Sequence, residues 1–148
     1  MKAIIILFYL LFPGSRSDLS TIRSMYRQSA TNENVNEDLI ALLNEKSSTF
    51  YRGYKGAAIM MKSKFSKNPF KKLELFRDGQ EMLEENIKVD TTDVELRYLR
   101  LTIQSNVPGF LNYNSMIEQD KRYLSASLSK IQDTELKKMV SDFLNSEK

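Results

Sequence analysis

The segment "VELRYLRLTIQ" at 94–104 constrains the fold more than any other part of the chain. At ~100° per residue from Val94, the side chains of Leu96, Leu99 and Ile103 fall together at roughly 140–200°. Val94, Tyr98 and Leu101 fall on the other side, at roughly 340–40°. A single apolar stripe suits a helix lying on a surface, whereas two stripes require neighbours on both sides. Arg97, Arg100 and Gln104 fill one gap between the stripes, and Glu95 and Thr102 the other. A chain containing such a helix must stack helices in more than one layer.

The remaining sequence extends that pattern into an all-α class. Glycine occurs five times and proline three times in 148 residues, and no stretch alternates apolar with polar residues as a half-buried strand does. Helical spacing predicts helices from Asp18, over about 36–46, over 49–65, from Pro69 with Asn68 as cap, and over about 93–106. Two more follow at about 115–131 and, after Asp133 as cap, 134–145. Within the helix at 49–65, Phe50, Tyr54, Ala57, Ala58, Met61 and Phe65 form one stripe, with Arg52, Lys55 and Lys62 opposite. In the next, Leu73, Phe76, Leu83 and Ile87 are the expected buried face. Gly79 lies within that face, and "GAA" at 56–58 offers a small surface, so both sites predict a close helix approach.

About seven helices with short connections suggest antiparallel hairpins. Two architectures fit: a divergent tetratricopeptide-like array or an irregular helical bundle. The stretch from Phe50 to Asp90 has the small-residue first helix, second helix and closing aspartate of a tetratricopeptide unit. It lacks the proper repeat spacing, and Thr91 stands where a proline is usual.

The N-terminus reads as an export signal: Lys2, then an uncharged apolar run from Ala3 to Phe12, then Pro13–Gly14 and small residues before Asp18. Cleavage between Ser17 and Asp18 is expected, leaving 18–148 as one helical domain. The run is far short of the ~20 residues needed to span a bilayer. With no cysteine after it to carry a lipid, the expected destination is the periplasm. Lys2 and Arg16 leave with the signal, so most of the formal +3 net charge goes too, and nucleic acid is an unexpected partner.

The absence of cysteine and histidine narrows the chemistry further. The fold must rest on its hydrophobic core, without disulfides. Nucleophile systems that need histidine are impossible, as are histidine-ligated metal sites. No cofactor is expected. Carboxylate catalysis remains open in principle, through pairs such as Glu84–Glu85 or Asp90–Asp93. Adjacent helical positions such as Glu84 and Glu85 do not face one another, however, and acids in the first and last turns of helices, such as Asp90 and Asp93, are ordinary, so neither pair makes an active site by itself.

Two readings of the Arg97–Arg100–Gln104 strip follow. One pairs it with carboxylates of a neighbouring helix, with Glu84, Glu85 and Asp120 the candidates, since arginine suits bidentate pairs. Alternatively it lines a groove for an anionic or amide-bearing ligand such as a peptide, with Asn106, Tyr113, Arg52 and Lys55 as neighbours. A separate lysine cluster at 62, 64, 67, 71 and 72 reads as a solvated loop or as a contact for anionic lipid headgroups.

The segments "YKGAAIMMKSKF", "NPFKKLELFRDGQEMLEENI", "VELRYLRLTIQSNVPGFLNY" and "IEQDK" together resemble a family of small exported helical proteins of Bacteroidota. The resemblance implies a tetratricopeptide-like fold and an exported location. It places Arg97, Arg100, Gln104, Asn106, Pro108 and Tyr113 in a signature segment and assigns them no role. The functional expectation is a non-catalytic binding or protein-interaction module of the bacterial envelope. The alternatives are a carboxylate hydrolase that needs neither histidine nor metal, or a structural accessory.

Overall fold

The computed structural model describes residues 16–146, which form seven α-helices and no strand. These are α1 (Arg16–Ser29), α2 (Glu33–Asn44), α3 (Thr49–Lys62), α4 (Pro69–Val89), α5 (Val94–Gln104), α6 (Ile117–Ser127) and α7 (Thr134–Ser146). Short 3-10 turns follow α3, precede α6 and follow α6. The apolar run at 3–12 lies outside the described residues. Ser17 and Asp18 fall in the first turn of α1. No helix among the described residues is long and apolar enough to cross a membrane.

Local chemistry sets the helix ends. The Asn68 side chain accepts from the backbone N–H groups of Phe70 and Lys71, with Pro69 in the first turn where its missing N–H costs nothing. Asp93 caps α5 through Leu96 N–H at 2.9 Å, and Asp133 caps α7 through Leu136 N–H at 3.0 Å. The start of α2 differs from expectation. Asn32 accepts from Val35 N–H, so the helix begins at Glu33, ahead of the expected start at about residue 36. Asn36 is then fully buried, donating from Nδ2 to Ala58 O at 2.9 Å.

Consecutive helices pack on one another through the first four, and α3 against α4 is the most extensive interface. Gly56 and Gly79 make that closeness possible. A Cβ on Gly79 would stand 2.5 Å from the Gly56 carbonyl oxygen and 2.6 Å from Met60 N. Two glycines more than twenty positions apart are thus one crossing point.

The apolar side chains divide into two clusters with α5 between them. Leu96, Leu99 and Ile103 join Ile22, Leu39, Leu43, Tyr54 and Leu83 in the larger one. Leu101 joins Leu124, Ile131, Leu136 and Val140 in the smaller, with Val94 and Tyr98 packed against it. The two stripes of α5 therefore serve two cores. One expected core residue is elsewhere: Leu73 is 46% exposed, because the first turns of α4 project past the helices that cover Phe76 and Leu83.

Candidate functional site

The polar gaps of α5 open onto two ionic nodes, one on each side. The first answers the question posed by the arginine strip. Arg100 donates from Nε to Asp120 Oδ2 at 2.7 Å and from Nη2 to Asp120 Oδ1 at 2.9 Å, a bidentate pair. Its Nη1 donates to Glu84 Oε2 at 2.9 Å, and Tyr113 Oη donates to Glu84 Oε1 at 2.6 Å. Arg97 adds Nη1 to Asp120 Oδ1 at 3.2 Å and Nε to Thr91 O at 2.7 Å. The Arg97 guanidinium also lies over the Tyr123 ring, 4.0 Å from its centroid. Asp120 is 0% exposed and Arg100 4%. Burial opposes the Arg100 charge, but Asp120 and Glu84 outweigh it and hold the group protonated above its ordinary value. Burial, with the Glu84 carboxylate beside it, likewise raises the Tyr113 hydroxyl.

The second node fills the opposite gap. Arg23 of α1 donates to Glu95 from Nε at 2.7 Å and from Nη2 at 2.8 Å. It also reaches Glu135 Oε2 and Asp133 Oδ2, each at 2.9 Å. Tyr54 Oη donates to Glu95 Oε1 at 2.6 Å. Burial disfavours the Arg23 charge, yet its hydrogen bonds to Glu95 and Asp133 raise its pKa far beyond the usual range. Sequence reading finds Glu95 in a gap between stripes but not its partner. Arg23 stands within the apolar spacing of α1, which is the one signal that marks it.

Of the expected binding residues, Arg97, Arg100, Gln104 and Tyr113 meet around one cleft of about 430 Å³ between α4, α5 and the segment leading into α6. Glu84, Lys88 and Gln119 share its wall. The guanidinium of Arg100 is not free to take a ligand there: all three of its nitrogens already face carboxylates. Gln104 differs. Its Oε1 accepts from Met116 N–H at 3.2 Å, while the buried Nε2 has no hydrogen-bond partner among the described residues. Asn106 leaves the cleft, turning Nδ2 back to Thr102 O at 2.7 Å near the end of α5. Arg52 and Lys55 lie apart from it on α3, because α5 meets α3 through Leu96 against Gly53 and not through its arginine strip.

The carboxylates of this site are committed as acceptors. Both oxygens of Asp120 and both of Glu84 receive donors. No family model, curated protein or solved structure matches the chain.

Proposed function

We propose that this protein is a non-catalytic binding module of the bacterial envelope, taking a carbonyl-bearing segment such as a peptide into the α4–α5 cleft. The observation that carries this reading is Gln104. A buried amide donor without a partner costs about 1–3 kcal/mol, and a ligand carbonyl is the group that would relieve it. Arg97, Arg100, Glu84 and Tyr113 support the cleft as a rigid, fully paired wall and are not themselves the ligand contacts. The periplasmic location rests on the N-terminal apolar run, and the tetratricopeptide-like ancestry on the α3–α4 hairpin and the sequence resemblance.

Titrating isotope-labelled protein with a mixed tripeptide library, followed by amide NMR, tests the proposal. Shifts concentrated at the Gln104 side-chain amide and the Met116 N–H are expected. The Met116 shift should vanish in a folded Gln104→Leu variant. No response in the wild type, or an unchanged Met116 response in the variant, would sink the reading.

A second reading has its own support. The two nodes consume every arginine at the centre of the molecule, as a purely structural envelope accessory would require. It predicts no peptide response at all, so the same titration separates the two.

A further inference from the structure

A different part of the surface carries its own signal. Between Glu45 and Glu74 the chain has eight lysines and arginines and no carboxylate. At the end of that stretch, the opening turns of α4 expose apolar side chains among the charges. Phe70 is 84% exposed and Leu73, three positions on along the same face, is 46% exposed. Lys67, Lys71 and Lys72 surround them and are all exposed. Arg77, one turn beyond Leu73, donates to Leu111 O at 3.1 Å and so holds the segment bearing Phe110, also 84% exposed, to this side of α4.

Counter-charges on this edge are few. Lys71 pairs with Glu74 at 3.1 Å, and Lys62, further back, with Glu37 at 3.2 Å. Lys67 and Lys72 have no ion-pair partner among the described residues. An exposed phenylalanine in the midst of unbalanced lysines suits a partner that is anionic at its surface and apolar just beneath. A second copy of this chain would bring like charges together at the same edge. A nucleic acid would engage the lysines but would not need Leu73.

We propose that the opening turns of α4 dock the protein on an anionic lipid bilayer. Phe70 and Leu73 enter the headgroup layer while Lys67, Lys71 and Lys72 meet lipid phosphates. Contact is peripheral and reversible: it draws on a few apolar side chains and on about fivefold in partition per lysine. This does not depend on the cleft or its ligand.

The chain has no tryptophan, which gives a clean probe. Phe70→Trp places a single indole at the proposed point of entry. With vesicles of phosphatidylcholine mixed with phosphatidylglycerol, its emission should move to the blue and weaken as salt is added. Pure phosphatidylcholine vesicles should leave it unchanged. In co-sedimentation, Lys67→Ala with Lys72→Ala should lose about fivefold per site. Phe70→Ser should lose roughly tenfold, the value of one buried aromatic side chain.

Circular dichroism checks that each variant is folded. An unshifted indole, equal response to both vesicle types, or Phe70→Ser protein that still sediments fully would overturn the proposal. The last outcome would assign membrane contact to the apolar run at 3–12. A concentration-dependent dimer that disappears in Phe70→Ser, with no vesicle binding, would assign the patch to self-association and equally overturn it.

Discussion

Asp120 is a fully buried carboxylate whose charge is met by two arginines, and that imbalance governs what its loss would do. Asp120→Ala would leave the Arg100 guanidinium desolvated with only Glu84 against it. Breaking one side of a buried pair costs about 3–5 kcal/mol. Replacing both partners, as Arg100→Met with Asp120→Leu, should cost less than the single change, since neither member of the bidentate pair is then stranded, Arg97 keeps Thr91 O and Glu84 keeps the Tyr113 hydroxyl. Urea unfolding of the two proteins tests this ordering. A double variant less stable than Asp120→Ala would mean that the node contributes net attraction beyond its desolvation cost. This node was partly legible: α5 shows the strip, and Glu84 and Asp120 are acids within reach of neighbouring helices. The Arg23 node was not. Its acceptors lie 72, 110 and 112 positions away in the chain, and although Arg23 shares the apolar spacing of α1, nothing local points to the carboxylates it meets.

At the scale of elements, α3 and α4 depend on two missing side chains. Alanine is ordinarily the better helix former by ~1 kcal/mol. At Gly79 that gain is overwhelmed, because the new Cβ would press on the backbone of α3 and not on a side chain that could turn away. Gly79→Ala should therefore destabilise by about 2 kcal/mol, within the usual range for overpacking. Gly109, where a Cβ would meet nothing within 4 Å, provides the control. Gly109→Ala should be neutral or slightly stabilising in the same thermal melts. Equal melting temperatures for both variants would refute the close crossing. Each glycine could be marked from its own helix by spacing, as could the two stripes of α5. What spacing cannot convey is where a neighbour ends. Leu73 continues the stripe of Phe76 and Leu83 in projection, yet it lies beyond the helices that cover them. Asn32 and Asn36 similarly carry no apolar signal, although one is a cap and the other a buried donor to α3.

Across the whole molecule, α5 joins two cores, and one ionic node clamps it to α4 and α6 while the other clamps it to α1 and the start of α7. This arrangement also confines where pH can act, since there is no imidazole or thiol to titrate near neutrality. On the acid side the effects oppose one another. Its hydrogen bond from Arg23 holds Asp133 below the ordinary carboxylate value, so its contribution to stability is present above that value and fades as pH falls. Burial raises Asp93 and gives the reverse dependence. On the alkaline side four tyrosines act together. Burial raises Tyr26, Tyr54, Tyr98 and Tyr113, and Glu95 and Glu84 push Tyr54 and Tyr113 further in the same direction. A raised tyrosine favours the folded state fully below its unfolded pKa of about 10, and that contribution is lost as pH rises toward its folded value. Helicity should therefore collapse cooperatively above about pH 10, with tyrosinate absorbance rising in the same transition. Tyr54→Phe and Tyr113→Phe should each make the alkaline fall in stability shallower, although both lose a hydrogen bond and begin from a lower value at neutral pH. Tyrosinate that forms completely while the helical signal stays intact would show these hydroxyls open to water, and the two nodes looser than their distances require.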